Sequence, residues 1–123
     1  VTPYEYIDLI VNDKQEKAAA LAKLNEQHIN PARVRFHTIK HTDFWMRDVG
    51  AIFAKNQHGK FAVVKFGFNG WGMGTVSKSF HEAAGIDSNI SLLIANNMNI
   101  PVLQTSLVAE GGALEINGNG TLI

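Results

Sequence analysis

Two segments with helical spacing, residues 14–28 and 88–98, are each held between short runs of β-forming residues. That alternation restricts the chain to an α/β architecture with mixed strands and outer helices. Tyr4–Val11 is rich in β-formers and ends in a buried-type apolar run. Asn12-Asp13 stops it, and Asp13 with Glu16 three residues later reads as a capping box. Lys17, Ala18, Leu21, Leu24 and His28 then recur at helical spacing, with Ala18, Leu21 and Leu24 forming a narrow apolar stripe. Asn30-Pro31 closes that helix. Val34, Phe36 and Thr38 alternate with Arg33, Arg35 and His37, as in a half-buried strand.

DFWMRDVG, residues 43–50, follows as a loop. The runs 51–54 and 61–66 flank Asn56-Gln57-His58-Gly59, a hairpin signal. The glycine-rich GFNGWGMG segment, 67–74, is expected to lie outside regular structure and to approach a neighbour closely. Residues 77–84 read as a short helix or as irregular. Asp87 or Ser88 caps the second long helix, with Ile90, Leu93, Ile94 and Met98 as its apolar stripe. Asn99-Ile100-Pro101 ends it, Val102–Val108 is a strand, and Asn117-Gly118-Asn119-Gly120 turns a final hairpin. The order repeats after about sixty residues, and two polar loops, TDFWMRD and VAEGG, occupy comparable strand ends in the two halves.

Composition narrows the function. The 123 residues fit one domain and carry equal numbers of basic and acidic side chains, 11 each, so no bulk field draws the chain to nucleic acid or an anionic membrane. There is no cysteine, which removes disulfides, thiolate metal sites and a thiol nucleophile within these residues. No apolar run approaches the roughly 20 residues of a membrane span. No leader pattern opens the chain, so a cytoplasmic origin is the default expectation. Both ends read as lying within a longer protein.

Three stretches hold candidate chemistry. Asp48 sits among Phe44, Trp45 and Met46, where water screens a carboxylate less. Such a carboxylate and an indole face suit a planar cation; the plainer reading has Arg47 and Asp48 satisfying a tight turn. Glu110 precedes two glycines at a strand end, where it either orients a histidine or is an exposed turn glutamate. GFNGWGMG has neither the dinucleotide nor the phosphate-loop spacing; Asn69 and Trp71 either line a pocket or plug the core. His37 and His41 are four apart but on extended chain, so no shared metal is expected.

Taken in order, Trp45-Met46-Arg47-Asp48-Val49-Gly50, Gly67-Phe68-Asn69-Gly70-Trp71-Gly72 and Glu110-Gly111-Gly112 with Asn117-Gly118-Asn119-Gly120-Thr121 resemble one family. It comprises the agmatine deiminases and related bacterial-type peptidylarginine deiminases. Ala51 stands where that pattern usually has proline, and Glu115 and Asn117 stand where agmatine-specific members often carry His and Asp. The resemblance implies a partial pentein-type α/β propeller of about two ββαβ-like blades with outer helices, residues 1–123 forming one partial domain. It implies hydrolysis of a guanidinium to a ureido group and ammonia, without a cofactor or metal. Asp48 then looks like a guanidinium-holding carboxylate and Glu110 like the acid that orients the catalytic histidine. Trp45, Arg47, Asn69 and Trp71 look like substrate-binding residues. The histidine and the attacking cysteine would lie beyond Ile123. The implied partners are a small guanidinium substrate or an arginine side chain. Open sheet edges further imply self-association or the remaining part of the same protein. Two other readings accompany this one: a non-catalytic guanidinium-binding or scaffold module, and an amidinotransferase of the same fold.

Overall fold

The computed structural model describes residues 4–73 and 76–123, so Gly74 of the glycine-rich segment and Thr75 after it lie outside the described residues. The chain divides into two compact units, 1–40 and 41–123.

The first unit is a strand–helix–strand motif. Strand β1 (Ile7–Val11) pairs in parallel with β2 (Val34–Thr38), and helix α1 (Lys14–Glu26) makes the crossover. The expected strand is shorter than its β-rich sequence, since Tyr4, Glu5 and Tyr6 precede the ladder. Asp13 caps α1 by accepting a hydrogen bond from Glu16 N at 2.9 Å. The reciprocal arm of the capping box is displaced by one residue: Glu16 Oε2 accepts from Asn12 N rather than Asp13 N. The helix also ends before Asn30-Pro31. Gln27 is its C-cap and His28 adopts a left-handed conformation (φ 56°), so His28 leaves the helical face. Asn30 and Pro31 instead open a 3-10 turn, Pro31–Arg33. Leu21 and Leu24 are half-buried as expected, but Ala18 is exposed and Ala20 takes its place. The helix is thin cover, with no fully buried residue. Lys17 adds its ammonium over the Phe36 ring, 5.1 Å from the centroid.

Alternation along two parallel strands puts residues of like parity on one face. Asp8 is the register partner of Arg35, and Ile10 that of His37. Asp8 accepts hydrogen bonds from Arg35 Nη2 at 2.5 Å and shares one with His37 Nε2 at 2.7 Å. Burial pushes the Asp8 carboxyl up, but the His37 and Arg35 hydrogen bonds and charges outweigh it, leaving the pKa below the ordinary 3.8. A carboxylate lowered on folding stabilises the native state above its unfolded pKa and loses that contribution as pH falls through the folded value. The first unit should therefore hold its stability down to about pH 4 and weaken below it. Melting curves between pH 7 and pH 2 check this: Asp8→Asn should flatten the acid limb, and an unchanged limb would remove Asp8 as its cause.

The second unit is built on a three-stranded sheet of order β3–β4–β5. Strands β3 (Ile52–Lys55) and β4 (Phe61–Gly67) form the expected hairpin, with Gly59 at φ 77° in its turn. Strand β5 (Val102–Val108) lies parallel to β4 and matches its expected bounds. Between them run two helices, α3 (Lys78–Asp87), which settles residues 77–84 as helical, and α4 (Ile90–Met98). Ser77 caps α3 through Phe80 N. Asp87 belongs to α3 and is buried, and neither it nor Ser88 caps α4; Asn89 holds that position without a side-chain bond.

The α4 core face is also rotated from the expected stripe. Ile90, Ser91 and Ala95 are buried and Ile94 half-buried, while Leu93 and Met98 are exposed. Ile90 and Ile94 of the expected stripe do face the core, and Ser91 and Ala95 complete that face in place of Leu93 and Met98. Val63, at the centre of the middle strand, is fully buried with Ile90 and Ala95. The final hairpin contracts to one bridge, Ile116 with Leu122, closed around Asn117. Each of the two units thus supplies parallel strands with helical cover.

Candidate functional site

DFWMRDVG is not a loop throughout. Met46–Val49 forms a single helical turn, α2, in which Trp45 O accepts from Asp48 N at 2.9 Å and from Val49 N at 3.1 Å. Val49 is 4% exposed and anchors the turn in the core, so the Asp48 backbone is fixed from the next residue. On the other side Phe44 and Trp45 stand out from the surface. Their rings lie 4.7 Å apart at 31°, and Trp45 is about half exposed.

The three sequence motifs meet at the Asp48 carboxylate. Trp71 donates its indole Nε1–H to Asp48 Oδ2 at 3.1 Å. Gly112 donates its backbone N–H to Asp48 Oδ1 at 3.0 Å. Each oxygen keeps acceptor capacity beyond these bonds, since an ionised carboxylate offers about four lone-pair directions. Two fixed donors orient its plane before any ligand arrives, which reduces the ordering that binding requires.

Glycine is needed for this approach. The Gly111–Ala113 stretch is a 3-10 turn set against α2. A Cβ on Gly111 would stand 2.1 Å from Arg47 O, and one on Gly112 would stand 2.3 Å from Asp48 Oδ1. The pair of glycines after Glu110 thus lets two backbones touch, in agreement with the close approach expected of such a pair.

Trp71 is held in turn. It adopts φ 55°, between Gly70 at φ 67° and Gly72 at φ 77°. Its ring meets Phe68 edge-on, with centroids 5.1 Å apart and planes at 89°. Asn69 Oδ1 accepts from Gly72 N at 2.8 Å, so this carboxamide closes the loop. A narrow cleft runs from Asp48 past Phe66, Phe68, Ser91 and Ala109.

The remaining candidates are less tightly drawn in. Glu110 caps the 3-10 turn in sequence, but its side chain makes no hydrogen bond or ion pair among the described residues. Arg47 is exposed and forms no ion pair with Asp48; the Asp48 carboxylate takes the Trp71 and Gly112 donors, which come from outside its own turn. Sequence reasoning missed Gly112 as a participant, because its contribution is a backbone N–H. His37 turns to Asp8, and no group of three His, Asp or Glu side chains converges among the described residues.

The solved structures that the chain resembles place this architecture. It aligns with a crystal structure provisionally named an agmatine deiminase at TM-score 0.84 and 25% identity, over 98% of this chain and 32% of that one. A C. jejuni agmatine deiminase with substrate bound superposes at TM-score 0.75 and 22% identity, over 99% of this chain and 32% of its own. The fold is a partial pentein α/β propeller, the architecture of the guanidine-modifying enzymes. Residues 1–123 match the Porphyromonas-type peptidyl-arginine deiminase family, and the chain belongs to it. A Streptomyces coelicolor relative provisionally named an agmatine deiminase is 38% identical over 81 residues, or 66% of this chain and 22% of the relative. The chain therefore spans between a fifth and a third of the proteins it matches.

Proposed function

We propose that this chain supplies the guanidinium-holding part of a deiminase site. In the complete protein, water would replace one guanidinium nitrogen of agmatine or of an arginine side chain, giving a ureido group and ammonia. The observation that carries this reading is the convergence of Trp71 and Gly112 on the Asp48 carboxylate. An oriented carboxylate makes a bidentate fork for a guanidinium, and the exposed Trp45 ring offers a flat face for the same planar cation. Asp48 holds the guanidinium; Arg47, Asn69 and Trp71 line or brace the site. Glu110, whose carboxylate has no partner among the described residues, would orient a histidine supplied from outside these residues.

A cysteine thiolate would attack the guanidinium carbon, and these 123 residues contain none. The substrate-bound C. jejuni neighbour has one cysteine replaced by serine, which supports a thiol at the reacting centre of that fold. Its name and that of the S. coelicolor relative favour agmatine as the first substrate to test.

The absence of cysteine from the chain keeps one other reading, a guanidinium-binding module without turnover. An amidinotransferase would differ by requiring an acceptor amine. The partner surface belongs to the same reading: Leu103, Leu107 and Val108 stand exposed on the edge strand β5. Such an edge would be covered by a second copy or by the rest of the protein.

Ammonia assays decide between these readings. This chain alone should release no ammonia from agmatine or arginine peptides, while a longer protein containing it together with the missing cysteine and histidine should. Release by the chain alone, with contaminants excluded, would rule out a thiol mechanism. No release by the longer protein, with binding retained, would favour the module.

A further inference from the structure

One buried carboxylate lies outside this site. Asp87 is 3% exposed, and both its oxygens are taken by a single residue: Thr42 donates its backbone N–H at 2.8 Å and its Oγ1–H at 2.5 Å. Burying a carboxylate is costly unless hydrogen bonds replace its water, and here they do so at one defined point. Thr42 begins the segment that leads into α2 and Asp48. Asp87 therefore fixes where that segment starts, as Val49 fixes where it ends.

The same helix grips the other motif. Gly70 is buried against α3 so closely that a Cβ there would stand 3.0 Å from Phe80 Cε1 and 3.2 Å from Ala84 Cβ. Trp71 follows directly. Helix α3 thus holds the Asp48 segment through Asp87 and the Trp71 loop through Phe80 and Ala84. The two partners of the Trp71–Asp48 bond are registered against one rigid element.

We propose that Asp87 is a positioning residue that, through Thr42, sets the bond between Trp71 and Asp48 and so the aim of the proposed guanidinium fork. The structural part stands on the contacts alone; only its consequence for turnover rests on the function proposed above.

The chain has two tryptophans, so a 15N-labelled sample shows two indole N–H signals. Trp71→Phe identifies them by removing one. In Asp87→Ala the Trp71 signal should shift toward its position in Asp48→Ala, and its exchange with solvent should rise about tenfold, a change of about 1.4 kcal/mol. The β3–β4 amides, which Asp87 does not touch, should stay in place. Asp87→Asn, which keeps one acceptor oxygen, should fall between. An unmoved Trp71 signal in a folded Asp87→Ala chain would overturn the proposal. Should Asp87→Ala fail to fold, Thr42→Val keeps the backbone bond and loses only the hydroxyl; it must still move Trp71, and an unmoved signal there overturns the proposal equally. In the longer protein, Asp87→Asn should raise KM for the guanidinium more than it lowers kcat. A Trp71 shift in a longer protein whose parent has no guanidinium turnover would support the positioning role and count against the function assigned to Asp48.

Discussion

Asp48→Asn, in a protein that turns over a guanidinium, should lower kcat/KM by about 100-fold or more. Breaking a desolvated ion pair by removing one partner costs about 3–5 kcal/mol, and each 1.4 kcal/mol is a factor of ten. The carboxamide is nearly the same shape, so the loss isolates charge from packing. From the sequence alone the same substitution is expected to leave Tm nearly unchanged. The geometry alters that expectation. Trp71 Nε1–H and Gly112 N–H both point at Asp48, and an asparagine can offer its oxygen to only one of them. Its NH2 must face the other donor. Losing one such bond should cost about 1–2 kcal/mol and lower the melting point of the second unit by several degrees. Activity is therefore to be measured well below the variant's Tm, with binding followed separately. Full turnover by a folded Asp48→Asn protein would remove Asp48 from the chemistry.

Gly111→Ala should have the largest effect on stability. Its Cβ would lie 2.1 Å from Arg47 O and 3.3 Å from Arg47 C. That contact is with backbone, which cannot rotate away as a side chain can, so α2 and the 3-10 turn must separate. Overpacking in a yielding core costs about 1–3 kcal/mol, and a backbone clash belongs at or beyond the upper end of that range. Separation would also withdraw Gly112 N–H from Asp48, so stability and site geometry should fail together. Gly118→Ala is the control. No atom lies within 4 Å of its Cβ position, and only its φ of 74° opposes the change, at about 1–2 kcal/mol. Denaturant melts of the two variants compare these directly. A Gly111→Ala chain as stable as Gly118→Ala would mean the two backbones do not approach as described.

Gly111 and Gly112 mark the boundary of what the sequence discloses. The pair signals close approach, but nothing in one chain of letters says that the neighbour is Arg47, because the contact is carried by backbone atoms. DFWMRDVG stood out in the sequence through its aromatic and acidic residues, and the structure brings its Asp48 against the other two motifs. Its helical turn was not, since four residues are too few for any periodic signal. The β3–β4 hairpin and the bounds of β5 were legible because turn chemistry and β-branched runs act locally. The face of α4 was legible only in part: Ile90 and Ile94 turn inward as expected, and Leu93 and Met98 do not. Apolar residues surround ISLLIANNM, and packing against the sheet selected Ser91 and Ala95 over Leu93 and Met98. Asp87 looked like a helix cap because acidic residues usually serve there. Only the fold shows that Thr42 waits opposite it.

The Asp48 junction has a consequence for how the molecule folds. Its two bonds span 23 and 64 residues of chain. Closing loops of that length costs entropy that the bonds repay only once both ends are already in place. The 64-residue bond from Gly112, and with it the complete junction, should therefore form after β4 and β5, whose register partners such as Val63 and Val102 are closer in sequence, have paired. A trapped intermediate with an intact sheet would present all three motifs and hold no ordered carboxylate between them.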